Sequence, residues 1–318
     1  MSEPREANGS TVPEAQTGPD GHVAIAAEAF PAAITARSLS DDAWDDLRRS
    51  PVFWISITIA VLMMMIAVAP QWFSAVNART AECSLRDSLA GPSSGHWFGF
   101  DKQGCDVFAR TIYGARASVL VGVASMVLSG VVALVIGLLA GFYGGWVDAV
   151  FARFTDIVLG LPLLLGTVVV ARALAARELG IWPVVLALGL LGWPPAARVI
   201  RSSVITARQQ DYVQAARVLG AGNARLMLRH ILPNAIAPTI VVLVISLGIF
   251  ISAEATLSFL GVGARNTISW GADIAEAQRW IRQASHPLLF PAGFLSLTVL
   301  AFIMLGDAVR EAFDPRLR

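Results

Sequence analysis

Six long apolar runs, separated by polar loops, constrain this chain more than any other feature of its 318 residues. A helix needs about 20 apolar residues to cross the hydrocarbon core of a bilayer. The chain is only 15% charged, whereas soluble domains are about 25% charged, so much of its apolar surface must face lipid. We therefore predict an all-α integral membrane protein with six transmembrane helices. The predicted spans are residues 51–73, 117–143, 157–176, 179–197, 236–260 and 288–305.

Two short segments precede the first predicted span. Residues 1–37 are rich in Ala, Pro, Glu, Gly and Thr. They bury too little apolar surface to offset the entropy of ordering, so we predict a disordered cytoplasmic tail. Residues 38–50 have Ser40 as a possible cap, acidic residues in the first turn, and Arg48 and Arg49 at the end, a pattern that predicts a helix. This amphipathic juxtamembrane helix either lies on the membrane surface or is simply solvated.

The distribution of arginine predicts the orientation of residues 51–318, the six-helix transmembrane domain. Six spans place both termini on one side, together with Arg48, Arg49 and the six arginines of the loop 198–235. Cytoplasmic loops are enriched in Lys and Arg. We therefore predict a multi-pass protein of the cell membrane with both termini in the cytoplasm. Because the arginine bias is modest, the inverted topology remains an alternative.

The chain has two cysteines, Cys83 and Cys105, and both lie in the loop 74–116 between the first two predicted spans. The predicted topology places this loop outside the cytoplasm, where oxidising conditions favour a disulfide. Such a bridge would stabilise the fold by roughly 3 kcal/mol because it restricts the unfolded loop. Two unpaired thiols are the alternative.

The loop 198–235 is polar and rich in arginine, although apolar runs flank it on both sides. We predict a helix over residues 206–218. Gly220 and Gly222 are expected to end it, because glycine tolerates the left-handed backbone that follows a helix terminus.

A second short helix is predicted over residues 224–231. Asn223 is expected to cap it, and Pro233 is expected to stop it. Ala215 and Ala216 in the first helix are small, so another surface can approach the backbone closely. The pattern predicts a docking hairpin, with an ordinary helical loop as the alternative.

This loop resembles the EAA loop of ABC-importer permeases, in which Glu-Ala-Ala is followed three residues later by Gly and then by Ile-x-Leu-Pro. The matching residues are Ala215, Ala216, Gly220, Leu232 and Pro233. Gln214 replaces the Glu, which keeps hydrogen-bonding capacity but loses the charge, and His230 replaces an Ile. The sequence R-H-I-L-P-N is typical of the dipeptide and oligopeptide (DppC/OppC-like) branch.

The resemblance covers roughly residue 38 to the end of the chain. His96–Arg116 looks like the segment before the second span in this branch, with Trp97 and Cys105 as departures. A Cys in place of the usual Arg strengthens the prediction of a disulfide. The further segments that read like the C-type permease subunit are Gly141–Asp148, Glu254–Gly261, Ser269–Gly271 and Leu305–Arg318.

The resemblance implies the type I ABC-importer permease fold and import of di- or oligopeptides by alternating access. It also implies four kinds of partner: a second, B-type permease, two ATPase subunits or domains, an extracytoplasmic substrate-binding protein and the lipid bilayer. The implied ATPase-coupling loop comprises Asp211, Tyr212, Gln214, Ala215, Ala216, Gly220, Ala221, Gly222, Leu232 and Pro233. The alternatives are a related permease for glutathione or a nickel chelate, and an ion-driven secondary transporter.

No enzymatic or cofactor-binding motif is evident in the sequence. A phosphate-binding G-x-x-x-x-G-K-[S/T] loop needs a lysine after glycine, and the single lysine, Lys102, follows Asp101. We expect this chain to be a non-catalytic subunit that binds no cofactor, with ATP and Mg held by the partner ATPase subunits. The four histidines lack ligand spacing, which predicts no metal site. The dispersed arginines predict no nucleic-acid partner.

Glu254 lies inside the fifth predicted span, where an ionisable group is costly and indicates a functional role. We expect it either to line the translocation path or to lie at a subunit interface. The alternative is that it reaches interfacial water near the outer end of the span.

Overall fold

The computed structural model describes residues 39–175, 179–263 and 267–313, and these residues form helices and turns without a named β-strand. The predicted tail of residues 1–37 lies outside the described residues. The helices are α1 Leu39–Arg49, α2 Pro51–Val68, α3 Val107–Tyr143, α4 Gly145–Gly160, α5 Leu163–Ala175, α6 Trp182–Gly192, α7 Pro194–Arg208, α8 Asp211–Val218, α9 Asn223–Arg225, a π-helical segment Leu226–Ile231, α10 Leu232–Ala235, α11 Ala237–Phe259, α12 Trp270–Ala277 and α13 His286–Ala312. Three short 3₁₀ helices cover Pro70–Trp72, Leu85–Asp87 and Gln278–Trp280.

Four of the described helices, α2, α3, α11 and α13, are long and apolar enough to cross a membrane. Two further spans result if each bent pair counts as one: α4 and α5 meet at 88°, and α6 and α7 meet at 41°. The prediction of an all-helical membrane protein is therefore confirmed, with four to six candidate spans.

The bounds of the third and fourth spans differ most from the prediction. The helical path of the third begins at Gly145, not at residue 157, and bends after α4 where Pro162 precedes α5. Proline has no N–H to donate and disfavours helical geometry in the residue before it, so the ladder breaks there. In the fourth, Pro194 starts a new helix, a position that tolerates proline, and that helix continues to Arg208.

Helix α3 is the central element of the bundle, and it packs against α2, α6, α7 and α11. Its 37 residues span about 55 Å at about 1.5 Å per residue, more than the roughly 30 Å of the hydrocarbon core. The helix begins ten residues before the predicted start because the Asp106 side chain caps it, accepting the Ala109 amide at 2.8 Å. One end of α3 therefore projects beyond the apolar layer.

The first and last described helices meet at one end of the bundle. Leu47 of α1 is buried in a cluster with Phe53 of α2 and with Ala308 and Ala312 of α13. Trp44 packs edge-on against Phe53 on the same side of α1, whereas the charged residues Asp46, Arg48 and Arg49 are exposed. Helix α1 thus packs through an apolar face and exposes a polar one.

A separate lobe, residues 69–106, lies at the other end, where α3 and α13 begin. We call it the disulfide lobe, because the structure joins Cys83 and Cys105 by a disulfide. The His286 Nε2 atom, at the start of α13, lies 3.1 Å from the Phe100 carbonyl oxygen of the lobe. The disulfide therefore closes the lobe, and the His286 contact joins the lobe to α13.

Candidate functional site

The predicted docking element consists of two short helical arms joined by a tight turn, and we call residues 209–235 the hairpin. The first arm, α8, ends where the Ala221 amide donates to the Ala216 carbonyl and the Gly220 amide donates to the Arg217 carbonyl, each at 3.0 Å. This pair of bonds is a Schellman motif, which needs a left-handed residue after the helix. Gly220 fills that position with a φ of +86°. It is the residue at which the chain turns between the arms.

The first arm is shorter than predicted. The single helix predicted over residues 206–218 is wrong, because α7 continues to Arg208 and α8 starts anew at Asp211. The Gln214 side chain reaches across this break and donates from Nε2 to the Arg208 carbonyl oxygen at 3.0 Å. A carboxylate has no N–H to donate. Gln214 therefore makes a bond that the Glu of the EAA pattern could not make.

The second arm also differs from the prediction. Gly222, with an extended φ of −68°, occupies the cap position, and Asn223 is the first helical residue, so the prediction that Asn223 is the cap is wrong. The helical path passes through Pro233 to Ala235 instead of stopping there. The π-helical segment Leu226–Ile231 explains this. Its wider turn relieves the clash between the proline ring and the preceding carbonyls.

One face of the hairpin is buried against the helix bundle. Val213, Leu226, Ile231 and Ala235 are buried in a cluster that includes Val204 of α7 and residues of α3. Full burial of a large apolar side chain contributes roughly 1.5–3 kcal/mol. The base of the hairpin is therefore held firmly by packing.

The opposite face exposes apolar side chains. Val218 and Leu219 are each 87% exposed, more than any other large hydrophobic residue in the described part of the chain. Tyr212 and Leu228 are also exposed. Sequence reasoning missed Val218 and Leu219, although two adjacent apolar residues directly before Gly220 were a visible signal. Contiguous exposed apolar surface indicates an interaction site.

The residues predicted for the coupling loop lie along both faces of the hairpin. The exposed ones are Asp211, Tyr212, Gln214, Ala215, Gly220, Gly222 and Pro233. The half-buried ones are Ala216, Ala221 and Leu232. The structure thus gathers them in one element, and their role in coupling stays a prediction.

The hairpin continues from α7, which is in close contact with α3. A Cβ atom at Gly141 of α3 would come within 2.8 Å of the Arg201 carbonyl oxygen, and one at Gly137 would be equally close to another carbonyl of α7. Glycine at both positions therefore permits the two backbones to touch. The Arg208 side chain adds a bond from Nη1 to the Phe142 carbonyl oxygen at 2.6 Å. The hairpin is thus mounted on a two-helix base.

Glu254 of α11 is buried within this chain, with 4% of its surface exposed. Its Oε1 atom accepts the Ser258 hydroxyl at 2.7 Å, and the hydroxyls of Ser118 on α3 and Ser269 before α12 also interact with the carboxylate. Its Oε2 atom is buried without a partner in regular hydrogen-bond geometry, and Glu254 and Thr267 both line a small cavity. In this conformation the carboxylate is shielded from solvent. A role in the translocation path stays a prediction.

A cluster of charges that sequence reasoning missed ties the disulfide lobe to α12. Arg110 forms an ion pair with Asp273, and its Nε atom lies 3.4 Å from the Asp101 carboxylate. Burial raises the pKa of Asp273 above its ordinary value, and the Arg110 guanidinium opposes this rise. Lys102 lies over the Trp280 ring at 4.5 Å. Among the described residues, no group of three His, Cys, Asp or Glu could hold a metal ion.

Comparison with known proteins gives consistent matches along the chain. Residues 133–318 match the family described as "Binding-protein-dependent transport system inner membrane component". The chain is 34% identical to the dipeptide transport system permease protein DppC of Alkalihalophilus pseudofirmus, over 89% of this chain and 92% of that protein. It is 34% identical to the oligopeptide transport system permease protein OppC of Bacillus subtilis, over 90% and 93%. It is 37% identical to the glutathione transport system permease protein GsiD of Pectobacterium atrosepticum, over 72% and 75%.

The fold is also similar to solved structures. A crystal form of the MetNI methionine ABC transporter in an inward-facing conformation aligns with a TM-score of 0.52 at 18% identity, over 64% of this chain and 96% of that one. A second crystal form gives 0.51 at 17% identity, over 63% and 95%. At this identity the similarity concerns the fold alone, and it agrees with the predicted permease fold.

Proposed function

This chain belongs to the family of binding-protein-dependent transport system inner membrane components, and we propose that it is the permease subunit of an ABC importer for dipeptides or oligopeptides. The two relatives named for those substrates align over about nine tenths of this chain. A glutathione permease is the second candidate, because the relative with that name is 37% identical. In either case the chain is a non-catalytic membrane subunit.

The observation that carries this proposal is the exposed apolar tip of the hairpin on its buried base. Val218 and Leu219 project from a turn whose other face is packed against α3 and α7. Exposed Arg217 and Arg225 flank this tip. Such a surface complements a partner groove with an apolar floor and an acidic rim. We assign that groove to an ATPase subunit that holds ATP and Mg.

The mechanism follows from how the hairpin is mounted. Closure of two ATPase subunits or domains on ATP moves α8, and the movement passes to α7 and through the glycine contacts to α3. A packed two-helix unit shifts as a body because close-packed interfaces deform little. The permease then alternates between two states that the nucleotide stabilises differently, as coupling between distant sites requires.

The remaining partners follow from the same proposal. The hairpin and both termini lie in the cytoplasm, in accord with the arginines around the hairpin. The disulfide lobe lies outside, where disulfides persist, and there it meets an extracytoplasmic substrate-binding protein. A second, B-type permease completes the translocation path. This chain itself binds no cofactor.

Substitution at the tip tests the proposal. The full chain carries an affinity tag and is purified from its native membranes, and the ATPase that co-purifies is quantified. We expect Leu219→Asp to abolish ATPase retention and Leu85→Asp to leave it unchanged. Leu85 is the matched control because it is 76% exposed but lies in the disulfide lobe. Full retention with Leu219→Asp would refute the assignment of the hairpin.

Uptake into proteoliposomes separates the two substrate classes. The purified complex is reconstituted into proteoliposomes that contain ATP. The binding protein and either a labelled tripeptide or labelled glutathione are added outside. We expect ATP-dependent uptake of the tripeptide. Uptake of glutathione alone would favour the second candidate.

A further inference from the structure

We propose that two ion pairs clamp α4 to α7, so that the elbow formed by α4 and α5 moves together with the helix that carries the hairpin. Asp148 and Arg201 are the main positioning residues of this clamp. The inference rests on the proposed function for its role in transport. The clamp itself is a property of this chain and can be tested on this chain.

The two ion pairs join side chains that are far apart in the sequence. Arg201 of α7 binds Asp148 of α4 through both Nε and Nη2, and the Nη2–Oδ2 distance is 2.6 Å. Such a two-bond arginine–carboxylate pair fixes orientation as well as distance. Arg198 of α7 binds Asp156 of α4 at 2.7 Å. The pairs therefore hold α4 at two points along its length.

Apart from the ion pairs, α4 makes few apolar contacts with the bundle. Thr155 is the single buried residue of α4, and a cleft of about 240 Å³ separates α4 from α3 and α7, with Phe151 and Gly137 among its lining residues. Phe154 stacks on Trp193, just before α7, with ring centroids 5.5 Å apart, and Val158 packs against the buried cluster of α3 and α7 residues. Weak apolar packing leaves the position of α4 dependent on the ion pairs.

The location of the charges indicates what this face of the protein meets. Arg198 follows Ala197 in α7, and the Ala197 carbonyl lies at the level of Gly137 in α3. Gly137 is six residues before Tyr143, the last residue of α3. At about 1.5 Å per residue, Arg198 lies about 9 Å from that end, whereas Arg201, whose carbonyl lies at the level of Gly141, is only about 3 Å from it. Half-exposed charges are costly wherever they face lipid. The α4–α7 face therefore lies against water or a partner subunit, where its movement changes a polar surface.

The clamp connects this surface to the hairpin. Helix α8 begins three residues after Arg208, the last residue of α7, so a push on the hairpin reaches α7 directly. Because Arg201 lies in the middle of α7, the Asp148 carboxylate follows it. Helix α4 then carries the movement to the 88° bend that leads into α5. Without the pairs, α7 moves and α4 does not follow.

A distance measurement tests the clamp. Spin labels are placed at Val150→Cys on α4 and Ser202→Cys on α7, both exposed positions; the two native cysteines are bridged and take no label. We expect one narrow distance distribution in the otherwise unmodified chain, a broader one with Asp148→Asn or Arg201→Gln, and a narrow one again with the charge-exchanged pair Asp148→Arg and Arg201→Asp.

Arg153→Gln is the matched control on the same helix. The Arg153 side chain is 85% exposed, and its distance to the Asp156 carboxylate is long, 4.0 Å. Its replacement is therefore expected to leave the distance distribution narrow. An unchanged distribution with Asp148→Asn and Arg201→Gln would overturn the clamp, and so would equal broadening with Arg153→Gln. The two neutral variants decide the matter even if the charge-exchanged chain does not fold.

A transport measurement tests the role of the clamp. In the complex purified from native membranes, we expect Asp148→Asn to retain ATP hydrolysis while uptake per ATP falls at least about 5-fold, the lower bound of typical coupling between sites. Unchanged uptake per ATP alongside a broadened distance would overturn the mechanical role. If no ATPase co-purifies with the unmodified chain, the proposed function fails, and the distance measurement on this chain still decides the clamp.

Discussion

The Arg208 Nη1 atom donates a hydrogen bond to the Phe142 carbonyl oxygen at 2.6 Å, and so joins the last residue of α7 to the last turn of α3. Carbonyl groups in the last turn of a helix have no partner within the helix. A cation there is also favoured by the helix dipole. The contact anchors the base of the hairpin to the central helix of the bundle. A force on the hairpin therefore acts on α3 as well as on α7.

The turn between the two arms depends on Gly220. We predict that Gly220→Ala destabilises the hairpin by about 1 kcal/mol, because alanine at a φ of +86° is strained. Gly222→Ala is the control, since Gly222 has a φ of −68° that alanine adopts freely. Hydrogen exchange of the α8 amides measures the difference. Equal exchange in the two variants would contradict the turn geometry.

The contact of α3 with α7 depends on Gly141. We predict that Gly141→Ala lowers the free energy of unfolding by about 1–3 kcal/mol, the usual cost of overpacking, because the new Cβ meets the Arg201 carbonyl at 2.8 Å. Gly293→Ala in α13 is the control, since a Cβ there meets nothing within 4 Å. Thermal unfolding in nanodiscs compares the two. An equal midpoint for both variants would show that the helices separate more readily than described.

Gln214 provides a prediction specific to this chain. We expect Gln214→Glu, which restores the family residue, to cost about 1–3 kcal/mol locally, because the Arg208 carbonyl loses its donor and faces a carboxylate. Gln210→Glu is the control, since an acid before the first turn of α8 agrees with the helix dipole. Faster hydrogen exchange at the α7–α8 break in Gln214→Glu alone is the predicted outcome. Exchange there that is unchanged or slower would mean that the Gln214 bond does not stabilise the break.

The disulfide lobe gives a prediction for the end of the bundle where α3 and α13 begin. Replacing Cys83 and Cys105 by serine is expected to lower the free energy of unfolding by roughly 3 kcal/mol through the loss of a loop constraint. Mass spectrometry after alkylation, with and without reductant, first establishes the bridge in the native protein. Two thiols that are alkylated without reductant would rule it out.

Some features of the fold could be predicted from single residues and others could not. The apolar runs predicted the helices, because a lipid-facing chain must satisfy its own backbone. Gly220 was predictable since few other residues adopt its backbone conformation. The passage of the helix through Pro233 was not, because the π-helical segment before it depends on the tertiary burial of Leu226 and Ile231. That burial cannot be predicted from the local sequence.

The ion pairs between α4 and α7 lie outside the reach of sequence patterns for a similar reason. Asp148 and Arg201 are 53 residues apart, and they meet because α4 follows directly on α3 and α7 packs against α3. No local pattern in either segment indicates that packing. The adjacent apolar residues Val218 and Leu219 can be seen in the sequence. Their exposure at the tip of the hairpin became known only from the structure.

The central claim is that the hairpin is the surface on which the ATPase docks. Cross-linking of the purified complex from Leu219→Cys, with Leu85→Cys as the control in the disulfide lobe, tests it most directly, since the native cysteines are bridged. We predict an adduct between Leu219→Cys and the ATPase that changes in yield when ATP is added, and no ATPase adduct from Leu85→Cys. An ATPase adduct from Leu85→Cys, or none from Leu219→Cys in a complex that still hydrolyses ATP, would contradict the account.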